Sequence, residues 1–128
     1  MRQESSGAGQ AGPVTVYWRP GCPYCMALRT QLRLYRLPRH EVNIWEEPAA
    51  AAVVRSVAEG NETVPTVVVG ECAMVNPSIG QVVRAVREHA PELAHGLPEP
   101  RALDRRRTAT LALAAVALVA AFVALALL

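Results

Sequence analysis

Residues 111–128 are 18 consecutive apolar residues, and this run limits the chain more than any other feature. As a helix it spans about 27 Å, or about 31 Å counted from Thr108. A bilayer's hydrocarbon core is about 30 Å thick, so the run is long enough to cross it. Ten of the 18 residues are Leu, Val or Phe. At the usual insertion energies they favour the membrane by about 3 to 6 kcal/mol. A buried core helix is the other use for such a run. It fails here, because the roughly 80 residues of compact chain that remain cannot surround a helix apolar on every side. The run is therefore expected to be a single membrane span from residue 108 to 128.

Charge places the rest of the chain. All 13 basic residues are Arg. Between residues 13 and 93 eight Arg balance eight Glu, and the net charge of +2 arises where Arg101, Arg105, Arg106 and Arg107 outnumber Glu99 and Asp104. Basic residues beside a span stay on the cytoplasmic side, so the preceding domain is expected there, at the cell membrane. A neutral domain with one local basic cluster does not fit a nucleic-acid binder. Ala117 with Ala121, or Ala120 with Ala124, offers small-residue spacing for two tails to pair. Such spacings arise by chance in Ala-rich helices, and a monomer is the simpler expectation.

The segment before the span divides into three. Residues 1–12, rich in Gly, Ser and Gln, read as a disordered leader without the apolar core of a secretory signal. Residues 13–90 carry the pattern of a small α/β domain, and residues 91–107 read as a Pro/Arg-rich linker. Within the domain, Val14 to Trp18 is β-branched and aromatic, which predicts a strand. Pro23 opens a helix reaching about Arg36. Glu41 to Trp45 alternates as a half-buried strand, and Glu46-Glu47-Pro48 opens a second helix. Thr66 to Val69 is a β-branched run fit for a central strand, Gly70-Glu71 a turn, and Ala73 to Val75 a short returning strand. Asn76-Pro77 predicts an N-cap with proline at the first helical position, opening a third helix to about His89. The expected architecture is a mixed four-stranded sheet flanked by about three helices.

The chemistry lies in Cys22-Pro23-Tyr24-Cys25. Cysteines at i and i+3 of a helix face one side, within the Cα separation a disulfide allows. Cys22 at the helix start meets unpaired N–H groups and the positive end of the dipole, which favours the thiolate. Arg19 adds a positive charge nearby. Cys25, one turn inside, is expected to remain a thiol. The pair reads as attacking thiolate and resolving thiol, joined in a redox-active Cys22–Cys25 disulfide when oxidised. A zinc half-site is the competing use of C-x-x-C, but structural zinc needs a second ligand pair, and Cys72, His40, His89 and His95 stand at no such spacing. No metal is expected. Cys72 reads as a turn cysteine without a role, and Trp18 and Trp45 as packing at strand ends. Tyr24 is expected to lie beside the cysteines and take part in binding.

The segment YWRPGCPYC, Tyr17 to Cys25, resembles the active-site segment of glutaredoxins. GNETVPTV, Gly60 to Val67, and Asn76-Pro77-Ser78 resemble the mycoredoxin branch of that family, found in mycothiol-using bacteria. The likeness covers roughly Val14 to His89. It implies a thioredoxin-like fold and a thiol–disulfide oxidoreductase. It implies a cis proline at Pro65 in the Thr63-Val64-Pro65 loop, with the backbone of Val64 turned toward a bound thiol. Asn76 and Ser78 would hold an anionic part of that thiol at a helix start. The expected substrates are mixed disulfides between proteins and a low-molecular-weight thiol, mycothiol first and glutathione second. Electrons would come from NADPH through a flavin disulfide reductase, with no tightly bound cofactor. A thioredoxin-like dithiol donor reducing protein disulfides of a membrane partner is the alternative, and a non-enzymatic redox adaptor or iron–sulfur carrier a third. Two departures stand out. Pro23-Tyr24 is the glutaredoxin form of the intervening pair, and Val75-Asn76 stands where the family often has a double glycine.

Overall fold

A computed structural model describes residues 12–127, so the leader expected at 1–12 lies, apart from Gly12, outside the described residues. The elements are β1 (Val14–Trp18), α1 (Pro23–Leu34), β2 (His40–Asn43), α2 (Pro48–Val57), β3 (Thr66–Val69), β4 (Cys72–Val75), α3 (Ile79–His89), a 3-10 turn (Pro91–Leu93) and α4 (Pro100–Ala126). The sheet runs β2-β1-β3-β4. β1 pairs with β2 in parallel and with β3 antiparallel, and β4 returns antiparallel to β3. This is the mixed four-stranded, thioredoxin-like arrangement the sequence predicts.

Side chains of a strand alternate between faces, and each face builds its own core. Val14, Val16, Val67 and Val69 pack with Leu28 and Leu32 of α1 and Val82, Val83 and Val86 of α3. The other face gathers Val42, Ile44, Ala50, Ala51 and Val54 with Cys22, Cys25 and Val64. The two motif cysteines thus lie on the α2 side of the sheet, and α1 and α3 share the opposite side. Thr66 is fully buried, and its hydroxyl is satisfied by donating to the Thr63 carbonyl at 2.8 Å. Glu41 of β2 binds Arg29 and Arg39, each at 2.7 Å, and Arg29 lies 3.7 Å over the Trp18 ring. Burial works against the Glu41 charge, but the two arginines outweigh it and hold the carboxyl below its ordinary range.

Four features depart from the sequence expectation. β2 ends at Asn43, not Trp45, because the Asn43 side chain accepts the Trp45 N–H at 3.0 Å and its carbonyl accepts from Glu46 and Glu47. These bonds form an Asx-type turn. Cys72 is the first residue of β4, not a turn residue. Asn76 does not cap α3: its φ is +48°, in the left-handed region, whereas a cap is extended. Ser78 caps instead, accepting the Gln81 N–H at 3.2 Å while the Gln81 side chain accepts the Ser78 N–H at 2.8 Å. That is a capping box.

The fourth departure is the largest. The linker expected over residues 91–107 is mostly structured. Leu97 and Leu103 are buried in the α1–α3 core. Arg87 donates to the Leu97 carbonyl at 3.0 Å and pairs with Glu99 at 3.1 Å. Pro100 then starts α4, where proline's missing N–H costs nothing. The helix continues unbroken to Ala126 and is long and apolar enough to cross a membrane. Residues 111–127 are all exposed, so they form no part of a protein core.

Candidate active site

Gly21, with φ +75°, turns the chain out of β1 in a conformation that L side chains resist, and delivers Cys22 to the start of α1. Cys22 is extended, with φ −91° and ψ 110°, and serves as N-cap; Pro23 takes the first helical position. The Cys22 Sγ accepts the Cys25 N–H at 3.3 Å. The sulfur thus sits where the helix N-terminus and a backbone donor converge, a setting that stabilises negative charge. As a thiol, Cys22 donates to the Val64 carbonyl at 3.6 Å.

Cys25 is fully buried. Burial, reinforced by the bond with Cys22, pushes its thiol up to about 12, against a smaller lowering from Arg19. Both cysteines are free in this structure. The two sulfurs, one turn apart, therefore differ in kind: one at a helix cap, the other held protonated in a dry cluster. The folded chain grips the Cys25 proton more tightly than the unfolded chain does. That contribution to stability is complete below about pH 9 and is lost as pH rises toward 12. A raise from 9.0 to about 12 lowers the thiolate fraction at pH 8 on the order of 1000-fold. In a chain carrying Cys22→Ser and Cys72→Ala, iodoacetamide at pH 8 is expected to label Cys25 at least about 100-fold more slowly than in the denatured chain. Equal rates would show that Cys25 is not shielded.

The remaining expected site residues fall into two groups. The Val64–Pro65 peptide is cis, both residues are buried, and the Val64 carbonyl faces Cys22. Thr63 is exposed and holds the loop through its carbonyl bond with Thr66. The Asn76 N–H donates to the Pro65 carbonyl at 2.7 Å, so the turn before α3 is tied directly to the proline loop. Asn76 and Ser78 share a groove of about 500 Å³ with Tyr24, which is 68% exposed. Arg19 is carried sideways: its guanidinium lies 5.6 Å from the Trp45 ring centre. Trp45 is 62% exposed, not packing at a strand end. β1 and β2 are parallel with Trp18 opposite Asn43, so the segments that leave them emerge together at one edge. Pairing of Arg19 with Trp45 was readable only once that register was known. Cys72 packs half-buried against the α1–α3 core, across the sheet from the cysteine pair. Among the described residues, no three His, Cys, Asp or Glu side chains gather as metal ligands would.

The fold and the site define a thioredoxin-like domain with a dithiol at the start of its first helix. The glutaredoxin family model matches residues 14–72. Two Mycobacterium tuberculosis proteins whose names carry the word glutaredoxin, from strains H37Rv and CDC 1551, are each 41% identical over 70 residues. The match covers 54% of this chain and 83% of each relative. The chain belongs to the glutaredoxin family. A solved structure of a mutant of the thioredoxin-like protein BC3987 matches with a TM-score of 0.51 at 20% identity, over 57% of this chain and 97% of that one. This last likeness concerns the fold alone.

Proposed function

We propose that the chain is a thiol–disulfide oxidoreductase that reduces mixed disulfides between proteins and a low-molecular-weight thiol, mycothiol before glutathione, at the cytoplasmic face of the membrane. The observation that carries this reading is the Cys22 sulfur at the cap of α1, receiving a backbone N–H, with Cys25 protonated beside it. The Cys22 thiolate attacks the small-thiol sulfur of the mixed disulfide. A new S–S bond forms on Cys22, the old one breaks, and the protein leaves as a thiolate that takes a proton from water. A second small thiol then attacks the adduct and frees Cys22, giving the oxidised thiol pair. A flavin reductase returns two electrons to that pair from NADPH. The Thr63–Pro65 loop would present the Val64 backbone to the bound thiol, with Arg19, Tyr24, Asn76 and Ser78 around it. The Arg-rich start of α4 and its apolar remainder support a cytoplasmic, membrane-anchored domain.

The dithiol-donor alternative keeps one observation in its favour: the Cys22 sulfur lies 3.3 Å from the Cys25 backbone nitrogen, and cysteines one helical turn apart fall in the range a disulfide spans. The deciding experiment provides a protein–thiol mixed disulfide as electron acceptor and follows NADPH oxidation by the full chain in detergent micelles under three supplies: mycothiol, glutathione, each with its own reductase, or thioredoxin reductase alone. Turnover with mycothiol is expected. Turnover with glutathione only would overturn the thiol assignment. Turnover with thioredoxin reductase only, lost in both Cys22→Ser and Cys25→Ser, would replace the proposal with the dithiol donor.

A further inference from the structure

The helix that leaves the domain has no loose joint. Had residues 91–107 been a flexible tether, its 17 residues would reach about 23 Å and let the domain roam above the membrane. Instead Leu103, in the first turns of α4, is buried against α3, and the helix runs on without a break. Leu103 and Leu111 are fixed about 12 Å apart along one rod.

The far end of that interval meets the active-site motif. Thr110 and Leu111 line the same groove as Tyr24, Asn76 and Ser78. Leu111 is the first residue of the 18-residue apolar run. The level at which α4 enters hydrocarbon is therefore the level of the groove. The lining suits that depth. Tyr24 and Tyr35 stand with Gln31 among apolar Leu28 and Ile79, and tyrosines with one wet and one apolar end collect at membrane interfaces. Arg101 and Arg105 are exposed on α4 just before the run, where anionic headgroups attract them.

We propose that the part of this groove lined by Gln31, Tyr35, Leu103 and Leu111 is the face the domain sets against the bilayer, with lipid at the headgroup–acyl boundary as its occupant, and that the part at Tyr24, Asn76 and Ser78 stays open to the thiol. Cys22 and Cys25, packed in the cluster on the α2 side of the sheet, then lie on the side turned away from the bilayer. The disulfides they reach are those held in water above the bilayer, on the side where α2 faces bulk water, and not those within the interfacial layer. This rests on the membrane anchoring proposed above and adds to it an orientation and a class of target.

The test uses the full chain in nanodiscs of phosphatidylethanolamine and phosphatidylglycerol. In a Cys22→Ser, Cys25→Ala, Cys72→Ala background, one probe is added: Gln31→Cys in the groove or Ser56→Cys on α2, both exposed positions. Each is labelled with a charged maleimide, and its rate is normalised to the denatured chain. Gln31→Cys is expected to react at least tenfold more slowly than Ser56→Cys. A 15-residue Gly/Ser insertion between residues 107 and 108 is expected to bring the two rates together. Equal rates without the insertion, in chains retained in the discs, overturn the orientation and leave the anchoring intact. Protection that survives the insertion also overturns it, since the shield would then be protein. Failure of the chain to stay with the discs overturns the anchoring and this inference with it; none of these outcomes touches the thiol chemistry, which the probe background lacks.

Discussion

Cys22→Ser is expected to abolish reduction of a protein–thiol mixed disulfide, lowering the rate at least on the order of 1000-fold, while Cys25→Ser keeps it within about tenfold of wild type. A 1000-fold loss corresponds to about 4 kcal/mol of barrier. The chemistry explains the asymmetry. A serine hydroxyl is not appreciably ionised near neutral pH and cannot form the adduct, so the first step disappears. Cys25 is needed only to close a disulfide with Cys22, and a second small thiol bypasses that step. The substitution is also structurally mild. Serine is among the best N-cap residues, and its oxygen can accept the Cys25 N–H that the sulfur now accepts. The Cys22→Ser chain should therefore keep its thermal midpoint to within a few degrees while losing turnover. A mutant that retained turnover would remove Cys22 from the role of nucleophile. A mutant that lost its fold would leave the kinetic result without meaning, so both are measured on the same preparation.

The second large effect is expected from Leu32→Ala. Leu32 is fully buried and joins α1 to the strand valines and to α3. Removing its side chain costs about 2 to 5 kcal/mol, from lost burial and from the cavity left behind. Domains of this size are stable by only about 5 to 15 kcal/mol, and each kcal/mol lowers the midpoint by about 4 to 8 °C. A fall of at least about 10 °C is expected. Tryptophan fluorescence, from Trp18 and Trp45 together, is the proper readout, because helicity in detergent would be dominated by α4. A fall under about 3 °C would show that the α1–α3 layer does not hold the domain together.

Legibility of the chain followed how local each determinant is. β1 and β3 lie where the β-branched runs placed them, because burial on a central strand and intrinsic propensity agree there. The cysteine motif was readable for the same reason: cap, proline and spacing all lie within four residues. Asn76 was misread as a cap because Asn-Pro satisfies the local rule; Ser78 with Gln81 satisfied it better, and the bond from Asn76 to Pro65 decided between them. Residues 91–107 were misread because their prolines and charges outweighed Leu97 and Leu103, two isolated apolar residues whose destination was set by a distant α3 surface. The neighbours of the site that sequence missed, Trp45 beside Arg19 and Leu111 in the groove that Tyr24 also lines, come from segments remote in the chain. No periodicity or motif encodes those.

The bond from the Cys22 thiol to the Val64 carbonyl carries a consequence of its own. It depends on a hydrogen that the sulfur carries only as a thiol. Neither a thiolate nor a disulfide has it, so the carbonyl loses its donor at the moment the sulfur becomes reactive and stays bereft while an adduct is attached. A buried acceptor left unpaired costs about 1 to 3 kcal/mol. An amide N–H of an incoming peptide or thiol conjugate is the natural replacement. On the proposed chemistry, visitor and proton would take turns at one oxygen: the guest would be gripped while it is covalently held, and the returning hydrogen would help to evict it when the sulfur is set free.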